Sequence, residues 1–207
     1  GGLKKFGPMV KSCVLRTEGS SYWTRSLRQT YLIITHPGQE YLIFFAYLFK
    51  SHIEFYILCW GKSQYKDIHQ ITTLQKLAVR YIANLKYNSH TGNYFKKLNI
   101  LKFNDLVNLN QANFMYRYVN NKLPSSFDNF FDKLNNFNRS LSFVLPKINK
   151  NEHKLLPSFA LIKTWNDVSL DLRRKKSLKS FKKHFSSALL ENYDKICKVS
   201  SCYACRK

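Results

Sequence analysis

The sequence predicts a mainly α-helical, bundle-like chain with an irregular N-terminal stretch and an extended linker around residues 132–157. Three observations carry this prediction. Apolar residues recur at steps of three and four over several segments of helical length. Clusters of Gly, Asn, Ser and Pro stand between those segments, where helix ends are expected. The 207 residues are 44% hydrophobic, enough to build a core of one sizeable domain or two small ones and too many for a disordered tail.

The elements follow in order. Residues 1–40 have little periodicity and carry Gly1, Gly2, Gly7, Pro8, Gly19 and the turn signal His36-Pro37-Gly38. They read as poorly ordered, with a short helix near 26–34. Residues 41–60 are dense in aromatics and predict a buried helix closed by Gly61 as a C-terminal cap. Residues 66–85 predict an amphipathic helix: Ile68, Ile71, Leu74, Ala78, Ile82 and Leu85 share one face, Lys76 and Arg80 the other. The Ser89, His90, Thr91, Gly92, Asn93 cluster is expected to end it. A third helix is expected over 104–121, capped by Asn104, with a stripe of Phe103, Val107, Phe114 and Tyr118. Pro124 is placed to open a helical turn running to Phe131. The Asn- and Lys-rich stretch 132–157, broken by Pro146 and Pro157, predicts the linker. A short helix around Trp165 follows over 158–168. The last element starts at Ser177, with Leu178, Phe181, Phe185, Leu189 and Tyr193 on one stripe and Lys179, Lys182, Lys183 and His184 opposite. The chain thus divides into 1–40, unassigned; 41–131, helical; 132–157, linker; 158–195, a basic helical region; and 196–207, a cysteine-containing tail.

Charge narrows the function. Thirty-four Lys and Arg against twelve Asp and Glu give +22. Self-repulsion of that order disfavours a compact state unless a polyanion or salt neutralises it, and nucleic acid is the commonest such partner. The sharpest feature is 173–183, where Arg173, Arg174, Lys175, Lys176, Lys179, Lys182 and Lys183 occur without one acidic residue. Such a run neutralises phosphates and releases counterions, giving sequence-independent, salt-sensitive affinity. The plainer reading is a solvated helix face or a localisation signal. Because the run begins a helix, where the macrodipole disfavours cations, helix stability does not explain it. Lys76, Arg80, Lys96 and Lys97 form a candidate second patch. Most of the 13 Tyr, 16 Phe and 3 Trp sit on apolar stripes and belong to a core. Tyr65, Tyr87 and Tyr94, outside the stripes and beside basic residues, are the better candidates for stacking on bases.

Several chemistries have no residues to carry them. No two acidic residues are adjacent, so the carboxylate cluster of two-metal phosphoryl chemistry is missing. There is no Gly-rich phosphate loop, no Gly-x-Ser-x-Gly elbow and no His with a partnered nucleophile. Cys197, Cys202 and Cys205 are candidate zinc ligands, but a structural site wants four and only His184 is at hand to complete it. Cys13, Cys59 and these three are odd in number and irregularly spaced, which argues for a reducing, intracellular setting. The longest apolar run, nine residues over 41–49, is short of the roughly 20 that a membrane-spanning helix needs. The chain opens on Gly1 with no leader-like segment, as a fragment would.

Four blocks add a resemblance. SHIEFYILCWG (51–61), LQKLAVRYI (74–82), HTGNYFKKLNILKFNDLVNLNQANFMYRYVNNKLPSSFDNFF (90–131) and TWNDVSLDLRRKKSLKSFKKHF (164–185) occur in an order and spacing that resembles LINE-type, jockey-like non-LTR retrotransposon reverse transcriptases. The part resembled is the stretch after the polymerase palm, the thumb and the segment beyond it, over about residues 27–195. The sequence departs from the family pattern in three places. Tyr56 follows Phe55 where an aromatic-Gly pair is usual, the Arg-rich excursion is reduced to Asn138-Arg139 and a Lys/Asn run, and Val168-Ser169 replaces Leu-Pro. The aromatic-x-Asp-Asp motif that holds the catalytic metals in the family does not occur, so no catalytic residue carries over.

The resemblance implies a thumb-like role for 41–131 and a nucleic-acid-binding C-terminal fragment of an RNA-directed DNA polymerase. It would grip template–primer or element RNA and DNA by the backbone, beside the upstream palm and fingers of the parent protein. Alone it would be inactive and hold no cofactor, magnesium being expected only for the intact polymerase. A nuclear or cytoplasmic ribonucleoprotein is the implied setting. The alternatives are a peripheral membrane-binding basic helical protein and a non-functional translated relic.

Overall fold

The computed structural model describes residues 54, 57–62, 65–86, 89–128, 130–131, 141–148 and 151–194. Seven α-helices form among them and no β-strand does, so the mainly α class holds. They are α1 (Ile57–Trp60), α2 (Tyr65–Ile82), α3 (Gly92–Lys97), α4 (Phe103–Val119), α5 (Pro157–Asp167), α6 (Leu170–Arg173) and α7 (Leu178–Glu191). The expectations for 1–40, for the 41–49 apolar run and for the tail at 196–207 lie outside the described residues.

The centre of the fold is α4. Phe103, Leu106, Val107, Leu109, Gln111, Ala112, Met115, Tyr116 and Tyr118 are all buried, which wraps burial around most of the helix rather than along one stripe. Phe114, expected on that stripe, is half-buried. The N-terminal half of α4 packs with Ile57, Ile71 and Ala78 of α1 and α2. Its C-terminal half packs with Leu161, Ile162 and Trp165 of α5 and Phe181 of α7. A third cluster joins Val79, Phe95, Leu190 and Tyr193, pinning α3 between the end of α2 and the end of α7.

Helix ends differ from the sequence expectation in an instructive way. Asn104 is not the cap of α4: the helix begins at Phe103 behind Lys102 in extended conformation, and no side chain of its own caps it. Instead Gln75 of α2, 5% exposed, receives the Phe103 N–H at 2.9 Å and donates to the Leu101 carbonyl at 2.8 Å. Tyr193 adds a second tie, its hydroxyl accepting the Lys102 N–H at 2.8 Å and donating to Asp105 at 2.6 Å. Partners 26 to 91 residues away in sequence thus satisfy this helix start.

At the other ends, asparagine does what glycine usually does. Asn84, Asn99 and Asn121 have φ of 49°, 55° and 53°. Behind each, the next N–H bonds five residues back: Leu85 to Arg80, Ile100 to Phe95 and Lys122 to Arg117, all at 2.8 Å. These are Schellman stops, with Asn tolerating the left-handed backbone. Gly61 serves a different end. No glycine among the described residues has positive φ. A Cβ on Gly61 would lie 2.5 Å from the Ile57 carbonyl oxygen and 2.8 and 2.9 Å from the Val107 methyls. Glycine stands there because α4 crosses α1 at that point.

The expected linker 132–157 is tied to the core where it is described. Residues 141–148 run without helix, and Phe143, 1% exposed, enters the main cluster. Asn166 holds it there, accepting the Phe143 N–H at 3.1 Å and donating to the Phe143 carbonyl at 2.9 Å. Pro157, expected as a break, is the first residue of α5, a position where proline's missing N–H costs no bond.

Candidate nucleic-acid interface

Residues 173–183 lie on the loop and helix that cover α4 and α5, and packing decides which of their cations face solvent. Phe181 is fully buried, stacked on Tyr116 at 4.8 Å and against Trp165 at 6.1 Å. Burying one such side chain stabilises the fold by about 1.5–3 kcal/mol, which fixes the rotation of α7 about its axis. Lys179, Lys182 and Lys183, at positions i, i+3 and i+4, are then all exposed on the face away from Phe181. Ser177 caps the helix, its hydroxyl accepting the Ser180 N–H at 3.1 Å. Before the cap, Arg174 and Lys176 are exposed and Lys175 is half-buried. The Lys175 carbonyl accepts the Tyr116 hydroxyl at 2.6 Å, which holds the loop to α4.

Arg173 departs from the expectation of a phosphate contact because it is turned inward. Its Nε donates to the Val168 carbonyl at 2.7 Å and one terminal nitrogen to Asn166 at 2.9 Å. The other reaches Ser142 Oγ at 2.8 Å and the Leu141 carbonyl at 3.3 Å. The guanidinium lies 6.0 Å from the Trp165 ring. Burial pushes its pKa down, and Asp167 opposes that. Leu141 is left-handed, with φ 51°, and its carbonyl accepts both Arg173 and the Trp165 indole at 2.6 Å. Two donors on one carbonyl help to hold a backbone conformation that a bulky side chain disfavours. Arg173 therefore ties 141–142 to the α5–α6 junction.

The second predicted patch is split. Lys76 and Arg80 line one groove of about 260 Å³ together with Lys102, Thr91 and Phe95. Arg80 donates its Nε to the Ser89 carbonyl at 2.9 Å. Lys96 and Lys97 are exposed on α3 and do not line that groove. Lys102 carries no periodicity signal; it joins the groove because the Tyr193 tie sets the start of α4, and its Nζ lies 4.2 Å from the Tyr193 ring centre. Since α3 packs against the C-terminal end of α7, Lys96 and Lys97 stand at the opposite end of that helix from Arg174 and Lys176. Fourteen residues of helix span about 20 Å.

Of the stacking candidates, Tyr94 is half-buried against the third cluster, with the Lys97 Nζ 5.2 Å from its ring centre. Tyr65 begins α2, and Tyr87 lies outside the described residues. Tyr81, beside Arg80 and 41% exposed, is a ring that its place in the α2 pattern did not single out. Cys197, Cys202 and Cys205 also lie outside the described residues. His184 is exposed, with Nδ1 at 2.7 Å from the Ser180 carbonyl oxygen. Among the described residues no three His, Cys, Asp or Glu gather to hold a metal, and no helix is long and apolar enough to cross a membrane. No family model, curated protein or solved structure matches the chain.

Proposed function

We propose that the chain binds nucleic acid through the phosphate backbone, as the catalytically incomplete C-terminal part of a LINE-type retrotransposon reverse transcriptase. The observation that carries the binding reading is the face made by Arg174, Lys176, Lys179, Lys182 and Lys183: five exposed cations on a capped helix and a pinned loop, with no carboxylate in the run. The four sequence blocks support the assignment to the polymerase. In that role the exposed side chains neutralise successive phosphates of a template–primer duplex or of element RNA, while Phe181, Tyr116 and Arg173 hold the array in shape. Lys76, Arg80 and Lys102 add contacts around their groove, and Lys96 and Lys97 do so on α3. Catalysis and its magnesium ions belong to the parent polymerase, and this segment positions the substrate.

The test is a salt titration of RNA and duplex binding. The five contacts of this face contribute about −3.5 to −4.5 to the slope of log affinity on log salt, a loss of roughly a hundredfold or more over a fourfold rise in salt. Replacing Lys179, Lys182 and Lys183 together by Gln is expected to flatten the slope by about 2–3 and leave the fold intact. Absence of binding at about 50 mM salt, or an unaltered slope in the triple variant, refutes the proposal.

A further inference from the structure

A second concavity, of about 420 Å³, lies beside α5 and α7 and includes none of the cations placed on the surfaces above. Lys62, Lys154 and Lys163 converge on it, and Phe159, Phe185 and Leu189 give it an apolar wall. Volumes of this order suit small organic ligands, whose sites combine apolar walls with a few converging polar groups.

Lys62 is the unusual member. It stands in the turn after α1, directly after Gly61, whose contact with Val107 fixes the turn against α4. The side chain is half-buried, and among the described residues its ammonium has one acceptor, Asn108 Oδ1 at 3.2 Å, where three N–H groups need one each. Burial and then the charge of Lys163 push its pKa down, against a weaker opposing pull from Asp105. A half-buried ammonium with a second ammonium lining the same cavity is stabilised when an anion joins them. Asn108 and Thr164 also line the cavity, and the Thr164 hydroxyl is held from behind by its bond to Gln111 Oε1 at 2.8 Å.

We propose that this pocket binds a small organic monoanion with an apolar body, its carboxylate between Lys62 and Lys163 and its hydrocarbon portion against Phe159, Phe185 and Leu189. Asp167 also lines the site and opposes any anion there, which disfavours the multiple charges of a phosphate polymer more than a single carboxylate. Half of the wall is hydrocarbon, which suits an apolar body. A single carboxylate supplies acceptors to both lysines and removes their mutual repulsion, and the apolar body covers surface that a hydrated phosphate would leave wet.

The test compares 4-phenylbutyrate with 4-phenylbutan-1-ol, the same body without the charge, by amide NMR titration of the full chain without nucleic acid. The acid is expected to bind about tenfold more tightly than the alcohol, as a charge-assisted bond predicts, with shifts at Asn108, Thr164 and Phe185. Lys62→Met removes that preference and keeps alcohol binding. Lys163→Glu, at an exposed position where folding is retained, makes the alcohol the better ligand. Equal affinity of acid and alcohol, no saturable shift with either, or an acid preference surviving Lys163→Glu overturns the proposal. None of these outcomes bears on RNA binding, which is assigned to other lysines and arginines.

Discussion

Arg173→Lys keeps the positive charge and removes the fork, so it separates the two roles this residue can have. The guanidinium makes three short bonds, to Val168, Ser142 and Asn166 at 2.7, 2.8 and 2.9 Å, and a longer one of 3.3 Å to Leu141. At about 1 kcal/mol net for each short bond, with a lysine recovering at most one, about 2 kcal/mol is lost. The weakened contact with the Trp165 ring adds about 0.5–1 kcal/mol. The total of about 2–3 kcal/mol lowers Tm by roughly 5–10 °C in a chain of this length. Lys176→Arg, three residues on and exposed, is expected to leave Tm in place. Thermal melts followed by circular dichroism measure both. The salt slope of RNA binding, taken below both melting points, is expected to be the same for Arg173→Lys and the parent chain. An unchanged Tm for Arg173→Lys together with weakened RNA binding would show Arg173 to face phosphate, and the inward assignment would fall.

Two further outcomes follow from the ties at the start of α4. Gln75→Leu preserves volume but leaves the Phe103 N–H and Leu101 carbonyl without partners, at about 1–3 kcal/mol each. Urea titration is expected to show a loss of about 2–6 kcal/mol, and a loss under 1 kcal/mol would mean that water or another group satisfies them. Tyr193 gives a pH dependence. Its phenol is held well above the ordinary tyrosine range, first by burial and then by its bond to Asp105. A raised folded-state pKa means that its stabilisation is fully present below about pH 10 and is lost as pH rises beyond that value. Tyr193→Phe is therefore expected to be less stable than the parent at neutral pH and to lose stability less steeply above about pH 10. Parallel stability curves for the two chains over the alkaline range would contradict this.

The parts of the fold legible in the sequence are those where one periodic face meets one core. The stripes of α2 and α7 follow from spacing alone, because a helix whose apolar residues fall at i, i+3 and i+4 has only one face to bury. The central helix was harder to read. It is surrounded, so burial spreads round it and no single stripe describes it. Its start was misplaced for a related reason: Asn104 fits a local capping pattern, but Gln75 and Tyr193 reach the same backbone groups from other helices. The Asn stops at 84, 99 and 121 were hidden because asparagine also serves in caps and loops, and only φ tells these uses apart.

Among the candidate site residues the division has the same cause. Composition alone settles that this chain carries a large cationic surplus, since charge is additive along a chain and independent of conformation, and residue order places its densest run at 173–183. Which cations meet solvent depends on where a side chain of several rotatable bonds finds acceptors, and that is a property of the assembled core. Arg173 and Lys176 are indistinguishable in a charge count. Folding sends one toward three backbone carbonyls and a serine and leaves the other exposed. Lys62, absent from every charge run, lies at a cavity because Gly61 lets two helices close to contact.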